Sequence, residues 1–97
     1  LEGSETIGPS EWIRVLLRRI FPPLFTIRIA EGGIAFSRGK VPKAFLEDCS
    51  RISEKSTISS GWIWGHREGE GIVLEFSGGI SPGDRQRFRN TAGIHRL

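Results

Sequence analysis

The chain has 97 residues, 14 basic residues against 11 acidic ones, a formal net charge of +3 and one cysteine. This length allows one core and not two, and so short a chain buries only about 60–65% of the surface that its unfolded form exposes. One cysteine excludes an intramolecular disulfide, which in a small domain favours a reducing, cytosol-like compartment, while three tryptophans, six phenylalanines and 37% hydrophobic residues argue against a disordered chain.

No stretch reads as a bilayer span. The best candidate, IRVLLRRIFPPLF, is broken by Arg14, Arg18, Arg19 and the Pro22-Pro23 pair, and a span needs about 20 apolar residues. No secretory signal pattern is present. The chain lacks methionine and begins at Leu1, which reads as a processing boundary upstream of which an anchoring or targeting segment could have stood. The expected location is the cytoplasm, or the cytoplasmic face of a membrane if such an anchor was removed.

Residues 1–10 are polar, with Gly and Pro, and are expected to be flexible. Ser10 reads as the N-cap of an amphipathic helix over 11–21. At about 100° per residue Trp12, Ile13, Leu16, Leu17, Ile20 and Phe21 share one side, and Glu11, Arg14 and Arg18 the other. Pro22-Pro23 stops it, because proline lacks an N–H and restricts the residue before it. In LFTIRIA, Phe25, Ile27 and Ile29 alternate with Thr26, Arg28 and Ala30, the period of a half-buried strand. Glu31-Gly32-Gly33 is turn chemistry, and Ile34 to Ser37 return as the second strand of a hairpin.

Pro42 suits the first turn of a helix. Over PKAFLEDCSRISEK, Phe45, Cys49 and Ile52 line one face with Leu46 beside them, and Glu47 and Arg51 make an i,i+4 pair. STISSG is a loop leading into a third strand, GWIWGHR. EGEG is a turn, and GIVLEF returns with Ile72, Leu74 and Phe76 alternating against Val73 and Glu75. Ser81-Pro82-Gly83-Asp84 opens a last short helix through RQRFRN: a serine cap, proline at the first position and an acid in the first turn. Asn90 or Gly93 is expected to close it.

FSRGKVP (36–42) and FSGGISP (76–82) echo one another forty residues apart. If both mark the same corner, Phe36 and Phe76 are each the last inward residue of a hairpin, and each half of the chain is a strand–strand–helix unit. The expected fold is therefore α+β. It is a four-stranded antiparallel sheet from two ββα units (24–55 and 58–92) with both helices on one face, preceded by the helix 11–21, all within one domain spanning 11–97. The other face would carry Thr26, Arg28, Ala35, Ser37, Val73 and Glu75.

Through GKVPKAFLEDC and LEFSGGISPGDRQRFRN the chain resembles a family of small bacterial proteins of unknown function, over roughly Phe25 to Asn90. Members are of about this length, often begin with a hydrophobic segment, and carry a similar Gly-Lys-Val-Pro corner and Arg-Gln-Arg-Phe-Arg-Asn ending. The resemblance implies no activity. The arginine-bearing stretch at 11–21 departs from a plain hydrophobic start.

Chemistry-bearing patterns are few. Cys49 lies on an apolar helix face and reads as a buried small hydrophobe. His66 and His95 lack the companions of a zinc site, and no nucleophile–base arrangement is assigned. No catalytic, cofactor or metal residue is expected, and the chain reads as non-enzymatic. SRGK, with Lys40 and nearby Lys43, and SGGISPG both lie between a strand and a helix, where free N–H groups could meet an anion. Trp62 and Trp64 share one side of the third strand. Burial is the usual use of large aromatics, so they are expected against the helices with Ile63 outward. Turned the other way, they would form a stacking pair on an open sheet.

Three binding classes follow. A protein-interaction or self-association module would use Trp12, Leu16 and Ile20. A nucleic-acid binder would use Arg85, Arg87 and Arg89, with Lys40 and Lys43. A membrane-surface protein would use the amphipathic helix 11–21. The first is the leading expectation.

Overall fold

The computed structural model describes residues 22–97, so the helix expected over 11–21, with Trp12, Leu16 and Ile20, lies outside the described residues. Four strands and two helices follow in the order β1 (Phe25–Ala30), β2 (Gly33–Gly39), α1 (Lys43–Lys55), β3 (Ser60–Glu68), β4 (Gly71–Phe76) and α2 (Pro82–Ile94). The sheet order is β2-β1-β3-β4, with every neighbouring pair antiparallel. The fold is α+β. Glu31 (φ 53) and Gly32 (φ 74) make the first hairpin turn, both left-handed as a two-residue turn matching the twist of its strands requires.

Register decides what is inside. Ile27 faces Ile63, and Ile63 faces Phe76; Phe25 faces Gly65, and Gly65 faces Leu74. These positions point to the helices. Phe45 and Cys49 of α1 and Phe88 and Ala92 of α2 join Phe25, Ile27, Ile29, Ile63 and Leu74 in one buried cluster, so both helices pack on one face of the sheet. Phe25 meets Phe45, and Phe76 meets Phe88, each at 6.0 Å between ring centroids.

The echoed heptapeptides do not occupy equivalent corners. Arg28 pairs with Phe36 while Ile29 pairs with Ile34, so Ala35 is an extra residue in β2. This bulge reverses the alternation beyond it. Phe36, expected inward, therefore projects from the outer face and is 46% exposed, whereas Phe76 points inward. Ser37 moves in the opposite sense, to the level of Ile27. Pro42 is the N-cap of α1 and supplies no side-chain cap, whereas Pro82 lies inside the first turn of α2 behind the cap Ser81. Gly39 (φ 93) is in the left-handed region, and a Cβ there would meet the Leu24 carbonyl oxygen at 2.3 Å; glycine is needed at that corner.

Helix details also differ from expectation. The fully buried stripe of α1 is Phe45, Cys49 and Ser53, with Ile52 only half-buried. Ser53 is tolerated because its Oγ donates to the Cys49 carbonyl at 2.7 Å. Arg51 pairs with Asp48 rather than Glu47. α2 runs to Ile94, past both expected stops, because Ala92 continues the buried stripe one turn beyond Phe88. Its far end is held to α1 by His95, whose Nε2 lies 2.6 Å from Asp48 Oδ2.

The tightest packing at the sheet centre is Phe25 over Gly65. A Cβ on Gly65 would lie 2.3 Å from Phe25 Cζ, and Phe25 is enclosed, so it has nowhere to turn. Gly65→Ala should lower stability by about 1–3 kcal/mol, read as a lower urea midpoint at unchanged slope. Gly78→Ala, with open space around the new methyl, should stay within about 0.5 kcal/mol of the parent.

Candidate interaction surface

Strand parity that sends Gly61, Ile63 and Gly65 inward sends Trp62 and Trp64 outward. This corrects the expectation that the tryptophans face the helices. The space above the two glycines is already filled: a Cβ on Gly61 would meet Ile80 Cγ1 at 2.6 Å, and Phe25 lies over Gly65. The informative signal was in the sequence as Gly-Trp-Ile-Trp-Gly. Glycine on both flanks of Ile63 marks a face closely approached by other side chains.

On the outer face the register aligns two rows. Phe36, Arg28 and Trp62 form one, and Arg38, Thr26, Trp64 and Glu75 the next. The indole rings of Trp62 and Trp64 are parallel within 2°, with centroids 6.1 Å apart. The Arg28 guanidinium lies over Trp62 at 5.6 Å, a geometry in which cation and ring attract. Phe36, Trp62 and Val73 are all exposed. Beyond Trp64, His66 pairs across the ladder with Val73, and its Nε2 lies 3.4 Å from Glu75 Oε1. That is within ion-pairing reach, but the nitrogen makes no hydrogen bond.

The expected basic surface is distributed differently. Arg85 donates from Nε to the Ile80 carbonyl at 2.8 Å and from Nη2 to the Ser77 carbonyl at 2.9 Å. It pins the β4–α2 connection rather than facing a ligand. Arg87 is bound to Asp84 and to Ser56 Oγ, each at 3.1 Å, and Arg89 lies over Phe76 at 5.1 Å. Lys40 and Lys43 are exposed but follow β2, at the opposite sheet edge from β4, which leads into α2. Asp84 accepts from Ser56 Oγ at 2.7 Å and so joins the start of α2 to the end of α1. Among the described residues no group of three metal-binding side chains gathers, and no helix is long and apolar enough to cross a membrane.

A family model described as "Protein of unknown function (DUF3634)" matches residues 13–96. The chain belongs to this family. No curated protein and no solved structure matches it. The match extends the region of resemblance seen in the sequence at both ends.

Arg85→Gln should cost about 1.5–3 kcal/mol, since two charge-assisted bonds to backbone carbonyls are lost. Arg87→Gln, at an exposed pair, should cost no more than about 1 kcal/mol. Denaturation midpoints of the two variants check this. Cys49 supplies a pH signature, because burial pushes its thiol from 9.0 up to about 12. The folded chain keeps the proton that the unfolded chain releases. The resulting stabilisation is complete below pH 9 and declines as pH rises from 9 towards 12. Stability measured over that range should fall more steeply for the parent than for Cys49→Ala.

Proposed function

We propose that this chain is a non-enzymatic protein-interaction domain whose contact surface is the outer face of its sheet, centred on Phe36, Arg28 and Trp62. The observation that carries this reading is the row of exposed side chains on a face opposite both helices. Exposed aromatic residues interleaved with charged groups are common at protein contact sites, and aromatic residues with arginine are the usual anchors of such sites. The two halves share the order strand–strand–helix, which supports reading them as a duplicated unit even though their corners differ.

Charge favours a polypeptide partner over nucleic acid. By register the outer face carries Arg28 and Arg38 but also Glu68 and Glu75, whereas a nucleic-acid site concentrates basic groups. The arginines of α2 lie in the helix layer and are engaged within the chain. The π surface of Trp62 is likewise engaged by Trp64 and Arg28, which supports apolar contact with side chains over base stacking. The groups with chemical potential hold the fold: Cys49 is sealed in the core, and His95 joins the helices.

Site-specific photo-crosslinking in cells tests the reading. A benzophenone amino acid at Phe36 should give a defined polypeptide adduct, several-fold above that from the same group at Glu54 on the exposed side of α1. Adducts to nucleic acid, or no excess over position 54, would overturn the proposal.

A further inference from the structure

Two arginines stand on the outer face with no acid beside them. Arg28 and Arg38 are exposed, and neither makes an ion pair with a described residue. In the helix layer, by contrast, Arg51 and Arg87 are paired with acids and Arg85 with backbone carbonyls. Arg28 lies opposite Phe36 and Arg38 opposite Thr26, so the two are diagonal neighbours on adjacent strands, about 7–8 Å apart. Like charges this close repel, and one carboxylate set between them can reach both. The acid in the row of Arg38 is Glu75, three strand spacings away, or about 14 Å, and it lies beside His66. We propose that the partner of this surface is an acidic polypeptide segment, with a carboxylate held between Arg28 and Arg38 and an adjacent apolar side chain set on Phe36.

This rests on the reading of the outer face as a contact surface and adds the chemistry of what that surface accepts. The bulge at Ala35 is what assembles the patch. Without the extra residue, the alternation of β2 would turn both Phe36 and Arg38 towards the helices; with it, both face outward beside Arg28, and re-aiming side chains is a known use of bulges. Phe36 shares the row of Arg28 and is two residues from Arg38 on β2, so an apolar group resting on its ring has a cation on either side. The Arg28 guanidinium, over Trp62 at 5.6 Å, keeps donors available while stacked, and its bonds to a carboxylate are charge-assisted. Two cations bordered by Phe36 and Trp62 suit an isolated carboxylate next to an apolar group, whereas a phosphate chain is met by a longer basic track.

The test selects binders of the full chain from a phage-displayed library of random dodecapeptides and measures them by fluorescence anisotropy. Peptides that lose binding to Phe36→Ser should carry Asp or Glu next to an apolar residue. Arg28→Gln with Arg38→Gln should weaken these peptides at least ten-fold, and Arg87→Gln, in the helix layer, less than two-fold. Changing the acid of the peptide to its amide should cost as much with the parent chain and little with the double variant. Unchanged far-ultraviolet dichroism and urea midpoint establish that the variants are folded. Peptides that depend on Phe36 but carry no acid, or that bind the double variant as tightly as the parent, overturn this inference and leave the contact surface standing. A selection in which no peptide depends on Phe36 overturns both, as does a single-stranded oligonucleotide that binds more tightly than the peptides and is lost in the double variant.

Discussion

The structure depends on the pairing of β1 with β3 through glycine. Phe25 and Ile29 face Gly65 and Gly61 across the ladder, and Phe25 and Ile80 occupy the volume that side chains there would need. A slip of β3 by one residue would drive two tryptophans into that filled space and carry Ile63 out to solvent. Register is strongly specified wherever one face is packed, so the outward tryptophans are a consequence of the core. The orientation of the aromatic surface and that of the hydrophobic core are thus set by one alternation, and a register slip would reverse both.

The same core explains why the arginines of α2 do not form a free basic surface. Ile80 must reach over Gly61, so the chain leaving β4 turns sharply through Ser77 to Ile80. That turn presents carbonyl groups that no strand or helix satisfies. Arg85 reaches back to the Ile80 carbonyl and to that of Ser77, which also accepts from the Ile80 N–H at 3.3 Å, so the side chain braces the turn. Ser81 accepts from the Asp84 N–H at 3.2 Å while Asp84 holds Ser56. The Ser-Pro-Gly-Asp start is therefore both a helix cap and the joint between helices.

Most elements were legible because their signals are local. The alternation in β1 and β4, the Glu-Gly-Gly turn, the helical spacing of Phe45 and Cys49, and the Ser81 cap each depend on neighbours within a few residues. What escaped depended on distant contacts. Nothing near Ala35 announces that it is an extra residue opposite Arg28, yet that residue alone puts Phe36 outside. No local signal marks Ser53 as buried, because what accounts for its hydroxyl is its bond to the Cys49 carbonyl in the folded helix. The size of Trp62 and Trp64 points inward, but the glycines that alternate with them, Gly61 and Gly65, hold the inner face and turn the indoles outward. For the candidate surface, the residue types were visible in sequence, but their alignment into rows required the register of three strands.

An open sheet face bearing Phe36, Trp62 and Val73 is costly for a chain with a small core, since exposed apolar surface invites association and bare edge strands invite pairing. Simple substitutions on the outer positions would remove that liability without disturbing the packed side. Arg28 shows how the liability is moderated: its guanidinium shields Trp62 from water on one flank while keeping a charge at the surface. Such a side chain can be displaced or can remain as part of a contact, because arginine stacks on an aromatic ring while its donors stay available. The outer face thus interleaves aromatic residues with arginine in rows whose orientation the packed side dictates, so its character follows from the core register rather than from incomplete packing.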